Sequence, residues 1–155
     1  MQKSVCGRLP QLRVLVLAVQ AAWGVSAWAL PQGATVVNGQ VSVAQPSAGT
    51  LQIKASNGAI INWKQFSIGG GETTQFLQPS ASSAVLNRVT GADPSQLQGQ
   101  LKANGQVFLI NPNGLVIGSG ARIDTSSFIG STLDITDADF LSGRLRFLAG
   151  AGAGR

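Results

Sequence analysis

The chain has 155 residues, of which 11 are lysine or arginine, six are aspartate or glutamate and none is histidine, for a formal net charge of +5. Without histidine, Ser-His-Asp and Cys-His catalytic arrangements are excluded, and a zinc site lacks its commonest nitrogen ligand. The basic residues form no run, and there is no tyrosine to interleave with them. The composition therefore does not support nucleic-acid binding, and no cofactor or metal site is predicted.

The amino-terminal segment has the pattern of a secretory signal peptide, which we place at residues 1–29. Lys3, Arg8 and Arg13 form a basic start, and residues 14–22 form an apolar stretch that is too short to span a bilayer. A buried or membrane helix is the alternative interpretation. Nothing that resembles a stop-transfer segment follows, which favours the signal peptide.

The predicted cleavage site follows Ala29, because Ala27-Trp28-Ala29 satisfies the small-x-small rule, and Leu30 is then the first mature residue. Three basic residues leave with the signal, so eight basic and six acidic residues remain and the mature charge is +2. The single cysteine, Cys6, also leaves. The mature chain would therefore have no disulfide, and it would depend on apolar burial and backbone hydrogen bonds.

Short apolar runs recur from end to end of the predicted mature chain, and each has the length of a strand rather than a helix. They lie at residues 35–37, 41–43, 51–53, 59–61, 75–77, 84–86, 107–110, 115–117 and 133–135. Glycine, asparagine, serine, proline and aspartate, the residues typical of turns, separate them. The one segment that suggests a short helical turn is residues 94–99.

This pattern predicts an all-β protein, and three architectures fit it: a sandwich, a barrel or a parallel β-helix. Four Asn-Gly pairs, at residues 38–39, 57–58, 104–105 and 113–114, each precede an apolar run. The β-helix is favoured, since stacked coils can bury asparagine, serine and threonine in side-chain ladders. Apolar runs that do not alternate with polar residues, such as the one at 107–110, also favour buried parallel strands.

The sequence Asn111-Pro112-Asn113-Gly114 contains explicit turn chemistry. Proline fixes φ at the second position, asparagine suits the third, and glycine suits a position with positive φ. We expect a type I turn that reverses the chain between the apolar runs on either side. The two asparagine amides are expected to be exposed, and an exposed amide at a loop tip could also serve a binding partner.

Trp63 and Phe66 are the strongest candidates for a ligand-stacking pair of the kind that sugars favour. Large aromatic residues beside isoleucines belong to a core more often than to a binding site. We therefore interpret both as core residues, with ligand stacking as the alternative. Lys64, between them, is expected to face solvent.

The charged residues give only weak indications of a metal site or a catalytic site. Asp134, Asp137 and Asp139 lie close together and could hold calcium, but the glycine and distal glutamate of an EF-hand loop are absent, which favours helix capping or a solvated loop. Arg88 and Arg122 occur in strand-like contexts and are the candidates for the base of a polysaccharide lyase. No carboxylate cluster is evident beside either arginine in the sequence.

Four segments together resemble a known family. They are "AIINWKQFSIG" (59–69), "QFLQPSASSAVLNRVTG" (75–91), "LKANGQVFLINPNGLVIGSGA" (101–121) and "FIGSTLDI" (128–135). They resemble the amino-terminal two-partner secretion domain, also called the haemagglutination activity domain, of filamentous haemagglutinin-type exoproteins, with the high-molecular-weight adhesin branch the most similar. The resemblance covers residues 33–148.

The resemblance implies a right-handed single-stranded parallel β-helix with short antiparallel capping or extra-helical hairpins. It also implies a non-enzymatic, secreted or cell-surface protein of a Gram-negative bacterium. Such a domain engages the periplasmic domains of a dedicated outer-membrane transporter and leads a long adhesin outward. Within the family, the motif that falls here on Asn111, Pro112, Asn113 and Gly114 is associated with secretion. A second family motif, Asn-Pro-Asn-Leu, is replaced here by Gln-Pro-Ser-Ala, so no role is carried over to residues 78–81.

We therefore divide the chain into a signal peptide at 1–29, a secretion domain at 30–148 that we expect to be incomplete, and a Gly/Ala tail at 149–155. Recognition of a host glycan or protein receptor is expected to depend largely on a downstream region. Two alternative functions stay open at this point. One is a carbohydrate-binding module in its own right, and the other is a β-helical polysaccharide-processing enzyme.

Overall fold

The computed structural model describes residues 29–149, and nearly all of their regular structure is β-strand. The strands are β1 (Thr35–Asn38), β2 (Val41–Ser47), β3 (Thr50–Ala55), β4 (Ala59–Trp63), β5 (Thr73–Leu77), β6 (Ala84–Val89), β7 (Ser95–Leu97), β8 (Gln100–Ala103), β9 (Gln106–Ile110), β10 (Leu115–Ile117), β11 (Arg122–Asp124), β12 (Ser127–Ser131), β13 (Asp134–Ile135) and β14 (Phe147–Leu148). One short helix, α1, spans Asp137–Ser142. Within the described part of the chain, no helix is long and apolar enough to cross a membrane.

The strands stack into three parallel sheets that form the sides of a β-helix. The β3 sheet contains β3, β5, β8 and β11, and the β4 sheet contains β4, β6, β9 and β12. The β7 sheet contains β7 and β10, and a parallel bridge between Ile68 and Leu97 extends it into the first coil. Each coil runs through the three sheets in turn, giving three complete coils and two sides of a fourth. The predicted parallel β-helix is confirmed.

Strands β1 and β2 close the amino-terminal end of the stack. β1 pairs antiparallel with β4, and β2 pairs antiparallel with β3, so each adds one antiparallel strand to the first coil. Both strands are mostly exposed, and Val36, Val37 and Val43 are each more than 40% accessible. The antiparallel capping strands implied by the family resemblance are therefore present at this end.

The interior of the β-helix is apolar. It contains sixteen buried residues, among them Trp63, Phe66 and Phe76. Asn87 is a polar member of the same interior stack, where it accepts a hydrogen bond from Trp63 Nε1 at 2.9 Å and donates one to the Phe108 carbonyl at 3.1 Å. Both the oxygen and the nitrogen of this amide have a hydrogen-bond partner. Its burial therefore costs little stability, because a buried polar group is destabilising mainly when it is unpaired.

The outward face of the β4 sheet is covered as well. Ile60, Leu86, Phe108 and Ile110 lie on this face and pack against Ile135 and Phe140 of the segment that follows β12. Because strand β9 is buried on both faces, its sequence is a continuous apolar run instead of an alternating one. This explains physically why residues 107–110 favoured a parallel strand.

Helix α1 is the centre of the segment that covers the β4 sheet, which consists of β13, α1 and β14 and is called the covering segment below. The side chain of Thr136 accepts a hydrogen bond from the Asp139 N–H at 3.1 Å and caps the first turn, and Gly143 ends the helix with φ of 81°. β13 and β14 flank the helix and pair antiparallel, forming the extra-helical hairpin that the family resemblance implies. Helix α1 has only six residues, too few to give a helical period in the sequence.

Most of the strand predictions are confirmed, and one local prediction is wrong. All nine predicted runs fall within strands, apart from Leu133, which precedes β13. Residues 94–99, predicted as a helical turn, instead contain β7. Parallel pairing of Ser95–Leu97 with Leu115–Ile117 outweighs the local preference of a Pro-Ser-Gln sequence for a turn.

Candidate functional site

The 111–114 turn lies at the corner of the third coil, where the chain passes from β9 in the β4 sheet to β10 in the β7 sheet. The Gly114 N–H donates to the Asn111 carbonyl at 3.0 Å, which closes the turn. Gly114 has φ of 121°, as its position in the motif predicts. The expected chain reversal is wrong, however, because β9 and β10 belong to different parallel sheets and do not pair with each other.

Asn111 is fully buried, and its side chain joins two coils through hydrogen bonds. Its Nδ2 donates to the Asp93 carbonyl at 3.0 Å and to Ser95 Oγ at 2.9 Å, both in the corner of the preceding coil. Its Oδ1 accepts from the Asn113 N–H at 2.9 Å and from Asn113 Nδ2 at 3.1 Å. The amide therefore makes four hydrogen bonds, and both its oxygen and its nitrogen are satisfied within the protein.

Pro112 and Asn113 form the exposed tip of the turn. Asn113 Nδ2 also donates to the Gly91 carbonyl at 2.7 Å, so this side chain is oriented although it is accessible. The expectation that both asparagine amides are exposed is thus wrong for Asn111 and right for Asn113. A partner protein can contact Pro112 and Asn113 directly, but it can be affected by Asn111 only through the shape of the corner.

The asparagines of the other Asn-Gly pairs also form hydrogen bonds between their side-chain amide and the backbone of another part of the chain. Asn38 Nδ2 donates to the Gly58 carbonyl at 3.0 Å, and Asn57 Oδ1 accepts from the Ala84 N–H at 3.0 Å. Asn104 makes a two-way contact with the backbone of Gln78, at 2.6 and 2.8 Å. Each asparagine therefore joins its corner to a neighbouring strand or coil, which the local turn chemistry alone does not indicate.

A groove of about 440 Å³ lies beside the tip of the turn. Its lining residues come from the end of β6, the 111–114 turn and β13, and they are Arg88, Val89, Thr90, Gly91, Pro112, Asn113 and Asp134. The groove places the exposed tip next to the segment that covers the β4 sheet. Arg88, the one cation that residues 29–149 contribute to the groove, is already engaged by neighbouring carboxylates.

Arg88 is the centre of an ion-pair cluster, although no carboxylate cluster is evident beside it in the sequence. Its Nε contacts Asp134 Oδ1 at 3.0 Å, and its Nη1 contacts Asp137 Oδ1 at 3.0 Å. Nη2 donates to the Ile135 carbonyl at 2.7 Å. Asp134 and Asp137 lie 46 and 49 positions further along the chain, so sequence proximity gave no sign of the contact. The cluster fastens the covering segment to β6.

Replacing Arg88 with glutamine should loosen this segment while leaving the β-helix folded. We expect the amides of α1 to exchange about 10-fold faster, because the three contacts to Arg88 at a half-buried site are together worth about 1–2 kcal/mol. Hydrogen exchange followed by mass spectrometry measures the effect. Arg122→Gln, at an exposed arginine of β11, is the matched control and should leave these rates unchanged.

The third acidic residue of the predicted cluster, Asp139, faces other basic groups. It is buried in the first turn of α1 and lies 3.9 Å from Arg144 and 3.6 Å from Arg146. In residues 29–149, no group of three or more acidic, cysteine or histidine side chains is arranged to hold a metal ion. Ion pairs with arginines thus account for Asp134, Asp137 and Asp139, and the helix cap is supplied by Thr136 and not by an aspartate.

Trp63 and Phe66 lie in the core, each 1% exposed. Their rings meet edge to face with centroids 5.5 Å apart, and Phe66 stacks on Phe76 at 6.5 Å. Neither ring face is open to a ligand in this structure. Lys64 between them is exposed, as expected.

Ala29, the residue before the predicted cleavage point, is the first described residue. Its N–H contacts both carboxylate oxygens of Glu72, at 2.8 and 3.1 Å. Residues 1–28, which contain the rest of the predicted signal, lie outside the described residues, as do residues 150–155 of the predicted tail. Sequence reasoning missed Glu72 entirely, because a single glutamate after three glycines has no recognisable partner nearby.

A family model described as "TPS secretion domain" matches residues 27–149. The chain is also similar to two proteins of Haemophilus influenzae, both called heme/hemopexin-binding protein. It is 41% identical to the first over 110 residues, which are 71% of this chain and 12% of the relative. It is 41% identical to the second over 106 residues, 68% of this chain and 11% of the relative.

Among solved structures, the chain resembles the secretion domain of HMW1 from Haemophilus influenzae. The two are 50% identical and superpose with a TM-score of 0.70, over 73% of this chain and 30% of that one. The chain thus spans about an eighth of the length of the curated relatives and under a third of the solved chain.

Proposed function

This chain belongs to the TPS secretion domain family, and on that premise we propose that it directs an adhesin-like exoprotein through a cognate outer-membrane transporter. In this proposal, residues 1–29 take the chain across the inner membrane, and residues 30–148 engage the periplasmic domains of the transporter. The product is secreted or held at the cell surface. The chain has the family and fold of a secretion domain and not of an enzyme.

The observation that carries the proposal is the construction of the 111–114 turn. Asn111 is buried and joins the third coil to the second, while Pro112 and Asn113 project from the same corner. One motif can therefore serve two purposes, with the buried residue shaping the corner and the exposed pair contacting a partner. This supports a secretion role for Asn111, Pro112, Asn113 and Gly114.

Strand edges supply the means of recognition before folding is complete. An extended chain can add a strand to the sheet of a partner through backbone hydrogen bonds, which needs no charged side chain. The predicted mature chain, with a charge of +2, has few charges to offer. Stacking of successive coils outside the cell then pairs the same edges within the β-helix, which opposes backward movement of the chain.

No observation in the described residues favours carbohydrate binding by this module. The aromatic pair that could have stacked on a sugar is buried, and Arg88, the cation that lines the groove beside the turn, is paired with carboxylates. Recognition of a host glycan or protein receptor is assigned in this proposal to a downstream region. Haem or hemopexin binding is named for the Haemophilus relatives and concerns proteins about six times as long as this chain.

The proposal is tested by export from a Gram-negative host in the presence and absence of the transporter. With the transporter, we expect the processed chain in the medium. Without it, we expect the chain to remain in the periplasm and to be degraded. A periplasmic enzyme expressed in the same cells controls for leakage. Equal amounts of the chain in the medium of both strains would contradict a transporter-directed function.

A further inference from the structure

Glu72 is a buried carboxylate at the start of the second coil. It is 1% exposed and directly precedes β5. Oε1 accepts a hydrogen bond from the Gly69 N–H at 2.7 Å, and the same oxygen and Oε2 both face the nitrogen of Ala29, at 3.1 and 2.8 Å. The side chain thus ties the amino-terminal segment to the loop between the first two coils.

The charge of Glu72 has no cationic partner among residues 29–149. The arginines that form ion pairs there, Arg88, Arg144 and Arg146, all bind aspartates of the covering segment. A buried carboxylate is stable when it is paired and costly when it is not. The two close contacts to one nitrogen are also poorly matched to an amide, which has one proton, and well matched to an ammonium group, which has three.

The chain immediately after this nitrogen is firmly placed. Leu30 is 5% exposed and belongs to the interior core. The Gln32 N–H donates to the Gln65 carbonyl at 3.0 Å, and the Lys64 N–H donates back to the Gln32 carbonyl at 3.0 Å. An amino group that cleavage produces near Ala29 is therefore held beside Glu72 by the contacts of Leu30 and Gln32.

The surroundings are suited to a positive charge. Ala29 lines a cleft of about 350 Å³ together with Gly69, Asp93 and Gln96, and no lysine or arginine of residues 29–149 lines it. Asp93 is exposed on this cleft and adds a second negative charge at its rim. The cleft therefore offers a cation the exposed carboxylate of Asp93, and Ala29, which lines the cleft, also contacts the buried carboxylate of Glu72.

We propose that Glu72 is the binding site for the α-ammonium group that removal of the signal creates. This rests on the export role proposed above, because that role supplies the cleavage. If cleavage follows Ala29, the new ammonium is on Leu30, within about 3.8 Å of the present Ala29 nitrogen, the length of one residue step. Processing then replaces a single amide donor with a cation and completes a buried ion pair.

A consequence is that the precursor and the processed chain differ in stability. In the precursor, an amide at this position leaves the charge of Glu72 without a counterion from the described residues. In the processed chain, the ion pair joins the amino terminus to the loop before β5 and stabilises the first coil. The folded state is thus more stable after the signal is removed than before it.

The test is performed on the processed, folded chain, whose first residue is identified by mass spectrometry of its amino-terminal peptide. The rate at which an acetylating reagent modifies the α-amine at neutral pH is measured on that peptide. We expect the rate to be at least 10-fold lower in the native chain than in Glu72→Gln. Asp93→Asn, at the exposed carboxylate of the same cleft, should stay within about twofold of native.

A second variant covers the case in which Glu72→Gln does not fold. Two alanines inserted directly before Leu30 keep Glu72 and move the ammonium away, and the α-amine should then react as rapidly as that of an unstructured peptide. A native α-amine that reacts as fast as the one in the extended variant would overturn the Glu72 proposal alone. A folded chain that retains residues 1–28 would overturn both this proposal and the proposed signal peptide, and transporter dependence is measured separately.

Discussion

Asn111→Ala is expected to lower the free energy of unfolding by about 3 kcal/mol. The substitution removes four hydrogen bonds and leaves the Asp93 carbonyl, Ser95 Oγ and the Asn113 N–H without the fully buried amide that now pairs them. Each buried polar group left unpaired costs about 1–3 kcal/mol, and relaxation of the corner recovers part of the total. Urea unfolding followed by the fluorescence of Trp63, the single tryptophan after residue 29, measures the change.

Asn113→Ala is the matched control within the same turn. Asn113 is exposed, so water can replace its contact with the Gly91 carbonyl, and we expect a loss of about 1 kcal/mol or less. If the two substitutions lower the free energy of unfolding by the same amount, the role of Asn111 in joining two coils is contradicted. If Asn113→Ala keeps stability and still lowers secretion, the exposed amide contacts the transporter.

Trp63→Ala is expected to cost about 4 kcal/mol, the effect of emptying a large buried site. The indole fills the interior beside Phe66 and satisfies Asn87 Oδ1, so truncation removes packing and a buried hydrogen bond together. Trp63→Phe retains most of the packing and should cost about 2 kcal/mol, mainly because Asn87 loses its donor. Unfolding is followed by circular dichroism, since the fluorophore itself is changed.

Ile117→Ala serves as the comparison at an exposed position, where the side chain is 54% accessible and the cost should be below about 1 kcal/mol. Glycan binding by the processed chain is measured on native protein and on folded Trp63→Phe. We expect no difference between them, because the ring faces only the interior. Binding by native protein that disappears in folded Trp63→Phe would revive the carbohydrate-binding alternative.

Most strands could be predicted from the sequence, because a parallel strand that is buried on one or both faces consists of a short run of apolar residues. Strand β9 shows this most clearly, with residues 107–110 apolar in succession. Helix α1 was not predicted, since its stability comes from the cap at Thr136 and from Phe140 packing on Phe108, and six residues are too few for a period. β7 was mistaken for a turn because its pairing partner lies 20 positions away.

The candidate site was predicted only in part. Turn chemistry predicted the positive φ of Gly114, but it gave no sign that Asn111 is buried while Asn113 is exposed. That difference depends on residues 93 and 95 in the preceding coil, which only the stacking of coils brings into contact. The same is true of Arg88 with Asp134 and of Glu72 with Ala29, which are separated by 46 and 43 positions.

The most direct test of this account is transporter-dependent secretion of a chain in which residues 111–114 are reordered to Gly-Asn-Asn-Pro. The composition is unchanged, but the asparagine is removed from the buried position and the glycine from the position with positive φ. With the transporter present, we predict at least a 10-fold loss of the processed chain from the medium, with normal removal of the signal. Secretion equal to that of the native chain would contradict the role of this turn in export.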